Sequence, residues 1–292
     1  MAALDSDHRT SARTGLHRGA IDWGMPEFET TPAADTAPRP GDSYVQSFAR
    51  GLAVIRSFDA RAPQQTLTEV AQRTGLTRAG ARRILLTLEG LGYVRSQGRQ
   101  FCLTPRILDL GFAYLSSLPL WNLAEPVMQA LVEELKESCS AAVLDGADIV
   151  YVLRVPTHKI MSINLGIGSR LPAACTSMGR MLLAELETSA VDELLRQHPL
   201  VAHTARTITD AAALHAELAR VRAQGWCLVD QELEEGLVSL AVPIRDRAGR
   251  AIAAMNVSGQ AARTPAATMV AQFLPRLQAA AAQISQMLQA KA

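Results

Sequence analysis

Residues 66–94 read TLTEVAQRTGLTRAGARRILLTLEGLGYV, and this stretch decides the fold of the N-terminal part of the chain. Thr66 and Glu69 have the spacing of a capping box, in which the hydroxyl and the carboxylate each satisfy a free backbone N–H at a helix start. Gly75 can end that helix in the left-handed conformation, and Thr77 can cap the next one. Two short helices joined by a glycine turn predict a helix-turn-helix.

The apolar residues around this stretch have helical spacing. Ala71 is small enough to let the two helices approach closely, and the second helix has an inner face of Ala81, Ile84, Leu85 and Leu88. Upstream, a three- and four-residue spacing predicts a further helix with one core-facing side. That side consists of Phe48, Leu52, Ile55 and Phe58.

The residues that follow predict a wing and a linker. Residues 93–95 and 99–103 flank Ser96-Gln97-Gly98, which is the pattern of a short β-hairpin. Pro105 then opens an amphipathic segment that predicts a linker helix over residues 105–119.

The outer face of the second helix and the wing carry the candidate DNA contacts. A recognition helix presents polar or basic groups to the major groove, and an arginine can either read a guanine or neutralise a phosphate. These residue types predict DNA contacts by Thr77, Arg78, Gly80, Arg82, Arg83, Thr87, Arg95 and Arg99. The alternative is that these side chains form a solvated helix face.

Positive charge is concentrated in the same region. Residues 50–106 contain ten arginines and three acidic residues, a net charge of +7, whereas the whole chain carries only +1. One basic segment on an otherwise acidic chain is typical of a DNA-binding module.

Four segments are expected along the chain. Residues 1–42 lack apolar periodicity and are expected to be a disordered tail. The others are a winged helix-turn-helix domain over 43–104, the linker helix over 105–119 and an effector-binding domain over 120–292.

The second domain is expected to be α+β with an antiparallel sheet, because strands joined as hairpins alternate with helices. The predicted strands cover residues 141–145, 149–155, 160–165, 226–230, 237–244 and 251–259. The predicted helices cover residues 176–186 and 265–288, with others around Leu131 and Leu218.

Composition indicates a folded, cytoplasmic protein. Hydrophobic residues make up 48% and charged residues 20% of the chain. No apolar run approaches the about 18 residues of a membrane span, and the N-terminus lacks a secretory signal. The four cysteines, Cys102, Cys139, Cys175 and Cys227, have no metal-ligand spacing, so neither a metal nor a cofactor is expected.

Several stretches together resemble the IclR family of bacterial regulators. They are SFARGLAVIRSF (47–58), LTEVAQRTGLTRAGARRILLTLEGLGYV (67–94), RLPAACTSMGRMLLA (170–184), GWCLVDQELEEGLVSLAVPI (225–244) and AAMNVSG (253–259). The resemblance covers about residues 44–290 and is closest to the branch governing aromatic-acid breakdown through the β-ketoadipate pathway, the PcaR, PcaU and PobR type.

This resemblance implies a DNA-binding transcriptional regulator with a winged helix, a linker helix used in dimerisation and a GAF-like effector domain. It implies assembly as a dimer or a dimer of dimers. A roughly palindromic double-stranded operator and RNA polymerase are the expected macromolecular partners, and no membrane partner is expected.

The resemblance also implies an effector and its pocket. Family members respond to small organic acids such as protocatechuate, 4-hydroxybenzoate or β-ketoadipate. The pocket positions correspond here to Thr176, Ser177, Met178, Ser239, Asn256 and Ser258, with apolar walls at Ile160, Ile163, Leu171 and Leu237. Better-known members carry Gly-Ala where this chain has Ser177-Met178.

Residue chemistry is compatible with these positions. Ser239, Asn256 and Ser258 alternate with apolar neighbours, so they can share one sheet face. Free N–H groups at a helix start near Ser177 can bind a carboxylate. Arg154 could pair with an effector carboxylate, or be an exposed or ion-paired strand residue instead. For the polar residues, the alternative is local hydrogen bonding to the backbone.

Two other functions compete with this interpretation. An enzyme would use Cys175, placed before a helix that lowers a thiol pKa, with His158 or His203 as base. No nucleophile or phosphate motif supports catalysis, so no catalytic residue is assigned. A ligand-independent DNA-binding dimer would use its second domain only for assembly. The acidic run over residues 231–235 is interpreted as a solvated loop, with a subunit contact or a metal site as alternatives.

Overall fold

The computed structural model describes residues 44–116, 120–157 and 165–291. The predicted tail over residues 1–42 and most of the predicted strand over residues 160–165 lie outside these ranges. The chain divides into two compact units between Leu103 and Thr104, and each unit has its own apolar core.

Residues 44–103 form a helical domain with a small antiparallel sheet. Its helices are α1 (Gln46–Arg56), α2 (Leu67–Thr74) and α3 (Arg78–Gly90), and its strands are β1 (Gln65–Thr66), β2 (Val94–Gln97) and β3 (Gln100–Leu103). β3 lies between β1 and β2. The β2–β3 hairpin is the wing, but its turn is Gly98-Arg99 rather than Ser96-Gln97-Gly98, because Gln97 pairs with Gln100.

The helix ends are capped as the sequence predicts. Thr66 Oγ1 accepts the Glu69 N–H at 3.4 Å, and the Glu69 carboxylate accepts the Thr66 N–H at 2.6 Å. Gly75 follows α2 with φ +65°, a conformation that glycine adopts without steric cost. Thr77 Oγ1 then accepts the Gly80 N–H at 3.1 Å, so the sharp turn between α2 and α3 is specified locally.

The predicted core-facing side of the first helix is correct at Ile55 and Phe58 and wrong at Phe48 and Leu52. Val54 and Phe58 lie in the core, whereas the side chains of Phe48 and Leu52 are 68% and 36% exposed. Only one stripe of a helix can face a core. In α1 the stripe that contains Val54 does so, and Phe48 and Leu52 therefore lie on the surface of this unit. The core-facing residues of the helix-turn-helix are Val70, Ala71, Ala81, Leu85 and Leu88.

The second unit is built around a six-stranded antiparallel sheet of order β6-β5-β4-β9-β8-β7. The strands are β4 (Ser138–Asp145), β5 (Asp148–Val155), β6 (Arg170–Pro172), β7 (Cys227–Asp230), β8 (Leu237–Arg245) and β9 (Ala251–Gln260). Its helices are α4 (Leu108–Ser116), α5 (Leu120–Leu135), α6 (Ser177–Leu183), α7 (Thr188–Gln197), α8 (Ala211–Gln224), α9 (Ala266–Thr268) and α10 (Leu274–Lys291). A π-helical turn over Met269–Phe273 joins α9 to α10.

Helices pack on both faces of this sheet. α5 and α10 cover one face in a core that includes Met255 and Val257 of β9. The alternate β9 residue Ala254 faces a second core with residues of α6 and α8. Small residues let α6 lie close to the preceding turn, since a Cβ at Gly179 would come within 2.2 Å of the Ala173 carbonyl oxygen.

The linker segment exposes its apolar side chains. A 3-10 turn over Pro105–Ile107 leads into α4, and no residue of α4 is buried. Its exposed large apolar residues are Leu108, Leu110, Phe112 and Tyr114. No helix among the described residues combines the length and apolar character needed to cross a membrane.

Candidate DNA-binding surface and effector site

Helix α3 presents an unpaired basic face. The side chains of Arg78, Arg82 and Arg83 are exposed, and within the described part of the chain none of them has a hydrogen bond or an ion pair. Free guanidinium groups keep all their N–H donors available for phosphate oxygens or base edges. The predicted recognition helix therefore has the chemistry that DNA contact requires.

A residue that sequence reasoning missed ties the wing to α3. The Glu89 carboxylate accepts the Ser96 N–H at 3.0 Å and the Ser96 hydroxyl at 2.5 Å. At the base of the wing, Arg95 Nε donates to Cys102 Sγ at 3.1 Å, while Arg99 is exposed in the turn. The Glu89–Ser96 contact forms only when the hairpin folds back on α3, so no periodicity signals it.

Two other predicted DNA contacts also shape α3 itself. The Thr87 hydroxyl donates to the Arg83 carbonyl at 2.9 Å. Gly80 donates its N–H to Thr77 Oγ1, and a Cβ at Gly80 would lie 3.2 Å from that oxygen. Gly80 therefore makes room for the cap, and the Thr87 hydroxyl is satisfied inside the helix.

Four polar side chains from three elements meet on one face of the large sheet. Ser177 Oγ, at the start of α6, lies 2.7 Å from Ser239 Oγ on β8. Asn256 Nδ2 on β9 donates to Ser239 Oγ at 2.8 Å and to Ser258 Oγ at 3.0 Å. The Ser258 hydroxyl donates to Ser239 Oγ at 3.0 Å. We call these four residues the polar cluster.

The polar cluster is buried and incomplete. The exposed fractions of Ser177 and Asn256 are 1% and 4%. Among the described residues, no hydrogen-bond partner reaches the buried Asn256 Oδ1. A buried polar group without a partner costs about 1–3 kcal/mol, so a ligand that donates a hydrogen bond to this oxygen would remove that cost.

The start of α6 is a weaker candidate for binding a carboxylate than the sequence predicted. Thr176 caps the helix by accepting the Gly179 N–H at 3.2 Å, and its hydroxyl donates to the Pro172 carbonyl at 3.0 Å. The helix is only 7 residues long. The polar cluster is therefore a stronger candidate for effector contact than the helix terminus.

The remaining predicted pocket and wall residues differ in how deeply they are buried. Met178 is 1% exposed and belongs to the apolar core between the sheet and α6. Leu171 and Leu237 are half-buried. Ile160 and Ile163 lie outside the described residues.

A buried ion pair that the sequence did not reveal fixes α6 in place. Arg180 Nη1 donates to Glu232 Oε1 at 2.6 Å, and Arg180 Nε donates to the Ala174 carbonyl at 2.7 Å. Glu232 Oε2 also accepts the Ile208 N–H at 3.1 Å. The side chains of Arg180 and Glu232 are 1% and 10% exposed. The prediction of a solvated loop is wrong at Glu232, because its carboxylate is buried in an ion pair with the guanidinium of Arg180.

Arg154 lies on the face of the sheet that carries the polar cluster. Ser140 of β4 is opposite Arg154 on one side and opposite Asn256 on the other, and directly opposed residues point to the same face. Arg154 is half-buried, and it makes no hydrogen bond or ion pair within the described residues. Its positive charge lowers the pKa of Tyr151, but burial has the larger effect and raises that pKa to about 12.

The cysteine that an enzyme would need is not activated. Burial raises the pKa of Cys175 to about 12, which outweighs the lowering effect of the Arg180 charge. The thiol is therefore protonated at neutral pH, contrary to the lowered pKa that the enzyme alternative requires. His158 lies outside the described residues, and burial lowers the pKa of His203. Among the described residues, no group of acidic, histidine or cysteine side chains is arranged to hold a metal ion.

Family models match both units. One described as the IclR helix-turn-helix domain matches residues 47–98. Another, described as the C-terminal part of the bacterial transcriptional regulator IclR, matches residues 112–286.

Individual relatives are similar to this chain over most of its length. The Pca regulon regulatory protein of Pseudomonas putida is 45% identical over 257 residues, covering 87% of this chain and 88% of its own. A solved transcriptional regulator from Rhodococcus sp. RHA1 is 51% identical with a TM-score of 0.76, covering 84% of this chain and 98% of its own. An IclR homolog from Microbacterium hydrocarbonoxydans, solved with 4-hydroxybenzoate, is 26% identical with a TM-score of 0.75 and covers 84% of this chain and 100% of its own.

Proposed function

The chain belongs to the IclR family of bacterial transcriptional regulators, and we propose that it controls genes of aromatic-acid breakdown in response to one small organic acid, either an aromatic acid or an intermediate of the β-ketoadipate pathway. It is a DNA-binding regulator with an effector-binding domain. The observation that carries the effector part is the polar cluster, with its unpartnered Asn256 oxygen on an apolar sheet face. A few convergent polar groups on an otherwise apolar wall are the usual composition of a small-ligand site.

The identity of the effector class draws on the relatives. One regulates the Pca regulon, and another binds 4-hydroxybenzoate. Protocatechuate, 4-hydroxybenzoate and β-ketoadipate are therefore the first compounds to test. We place them at the polar cluster, with Leu171 and Leu237 as walls.

The DNA contacts are assigned to α3 and the wing. Arg78, Arg82 and Arg83 supply free positive charge along one helix face, and Arg99 extends the basic surface at the wing. Phosphate contacts position a protein on DNA, whereas contacts to base edges give specificity. Both kinds are available to this arginine set, and Thr77 and Gly80 bring the start of the helix into the same surface.

Helix α4 is the proposed dimerisation element. The exposed apolar side chains of Leu108, Leu110, Phe112 and Tyr114 on α4 favour a homodimer that binds a roughly palindromic operator in the cytoplasm. Dimers of dimers and contact with RNA polymerase are further expectations. An effector regulates only if it binds two conformations of the dimer unequally, so the expected change is in the spacing or orientation of the two winged helices.

A paired experiment tests this function. Thermal unfolding of the full chain is measured with protocatechuate, 4-hydroxybenzoate, β-ketoadipate and unrelated organic acids, and operator binding is measured with and without each compound. A ligand at 100 times its Kd stabilises the folded state by about 2.7 kcal/mol. A selective shift accompanied by altered DNA affinity supports the proposal. DNA binding that no compound alters would instead support a ligand-independent dimer.

A further inference from the structure

We infer that the effector binds in one orientation, with its carboxylate at Arg154 and an uncharged polar end, such as a phenolic hydroxyl, at the polar cluster. This assignment rests on the proposed function, because it presumes that the sheet face is the effector site. It makes Arg154 and Asn256 the residues that determine specificity, each for a different end of the ligand.

The register of the sheet places the two ends on one row. Across neighbouring strands the row reads Arg154 on β5, Ser140 on β4, Asn256 on β9 and Ala241 on β8. Strands lie about 5 Å apart in a sheet, so the backbones of Arg154 and Asn256 are about 10 Å apart. A very small acid cannot touch both residues, whereas an acid with a second polar group across a ring can.

The positive charge of Arg154 indicates that the carboxylate end of the ligand binds there. Arg154 is the one charged residue of this row, it is half-buried, and it has no hydrogen bond or ion pair within the described residues. A carboxylate would form a charge-assisted hydrogen bond with its guanidinium, which is stronger than a bond between neutral groups. Ser140, directly opposite Arg154 and 3% exposed, can donate a second hydrogen bond to the same carboxylate.

The hydrogen bonds within the polar cluster indicate why the uncharged end of the ligand binds there. Both N–H groups of Asn256 are used, and Ser239 Oγ already accepts from Asn256 and from Ser258. An oxygen of this kind has two lone pairs, so the Ser239 hydrogen goes to Ser177, 2.7 Å away. This leaves the Ser177 hydroxyl as the free donor of the cluster, and Asn256 Oδ1 as its one oxygen that takes part in no hydrogen bond within the described residues.

A hydroxyl group matches that pair because it donates and accepts at once. A carboxylate only accepts, and its oxygens would meet the lone pairs of Asn256 Oδ1. The cluster therefore selects a hydroxyl over a carboxylate, and the ligand class that satisfies both ends is a hydroxy-substituted carboxylic acid with the two groups on opposite sides of a ring.

The test compares three probes on the full chain by calorimetric titration. The probes are 4-hydroxybenzoate, benzoate, which lacks the hydroxyl, and 4-hydroxybenzamide, which lacks the charge. For Arg154→Gln we expect the affinity for both acids to fall about ten- to a hundredfold, the range of a hydrogen bond to a charged group. The affinity for 4-hydroxybenzamide should stay within about twofold.

Variants of the polar cluster should show the opposite pattern. Asn256→Ala should lower the preference for 4-hydroxybenzoate over benzoate about two- to tenfold, and keep the preference for acid over amide. Ser177→Ala removes the free donor with a smaller change in the core and should act in the same direction. Arg196→Gln, on the exposed surface of α7, is the matched control and should change neither preference.

Three results would overturn the orientation. One is an Arg154→Gln protein that keeps its preference for acid over amide. Another is an Asn256→Ala or Ser177→Ala protein that loses that preference, which would place the carboxylate at the polar cluster. The third is a wild-type protein that binds DNA but none of the three probes. If its unfolding temperature also fails to respond to protocatechuate and β-ketoadipate, the proposed effector class is refuted as well; a response to either compound would refute the orientation alone. Unfolding temperatures without ligand show whether each variant is folded.

Discussion

The buried pair of Arg180 and Glu232 allows a direct test of what holds helix α6 in place beside the candidate effector site. Replacing Glu232 by Gln keeps the shape of the side chain but removes its charge and turns one acceptor into a donor. That donor faces the Arg180 guanidinium, and the carboxylate also accepts the Ile208 N–H at 3.1 Å. Removing one partner of a buried pair costs about 3–5 kcal/mol, because the remaining charge is left uncompensated.

This cost translates into a large thermal shift. For a unit of this size each kcal/mol lowers Tm by about 2–4 °C, so we expect Glu232→Gln to unfold about 6–20 °C below wild type, as measured by circular dichroism. Glu193→Gln removes a pair of similar geometry whose side chains are 50% and 71% exposed, and it should leave Tm unchanged, since surface pairs contribute little.

The double variant Arg180→Met with Glu232→Leu sharpens the interpretation. Replacing both partners by apolar groups removes the uncompensated charge, so it should recover much of the stability lost in Glu232→Gln. A Glu232→Gln protein that unfolds within about 2 °C of wild type would refute the reasoning, because the guanidinium would then have found water or another partner.

Four further predictions concern the surface, the site and the buried thiols. Arg83→Ala should weaken operator binding, and if Arg83 contacts a phosphate, the slope of log affinity against log salt should fall by about 1 in fluorescence anisotropy titrations. Glu89→Ala should also weaken operator binding despite removing a negative charge, because the wing loses the acceptor of both Ser96 hydrogen bonds; a rise in affinity would show that charge outweighs anchoring. Ser258→Phe should abolish the effector-dependent thermal shift and leave operator binding intact, whereas a surviving shift would misplace the pocket. Burial raises the pKa of Cys175 and Cys227 to about 12, above the unfolded value of about 8.5. Below about pH 8.5 the thiols are protonated in both the folded and the unfolded state, and the folded state keeps its full stability. Above that pH only the unfolded thiols ionise, so chemical denaturation should show the free energy of unfolding falling between about pH 8.5 and 12.

Local signals account for what the sequence predicted well. The capping box of Thr66 and Glu69, the glycine at 75 and the cap at Thr77 all act within three residues of their targets, so their spacing alone specifies the turn. Alternating residues on β8 and β9 likewise predicted a shared face for Ser239 and Asn256, and the register brings their side chains to 2.8 Å.

Contacts between distant segments explain what was missed. Arg180 and Glu232 are 52 residues apart, and Glu232 stands in an acidic run whose composition suggests solvent. The exposure of Phe48 was missed for a related reason, since helical spacing shows that an apolar stripe exists but not which side the core uses. In both cases the deciding partner belongs to another element, so no window of sequence contains the information.

The energies available at the polar cluster are of the size that regulation needs. Allosteric coupling between an effector and an operator amounts to about 1–3 kcal/mol, and each net hydrogen bond contributes about 0.5–1.5 kcal/mol. The cluster joins α6 to β8 and β9 through bonds between Ser177, Ser239, Asn256 and Ser258. A ligand that satisfies Asn256 Oδ1 and changes one or two of these bonds therefore has enough differential energy to shift the position of α6.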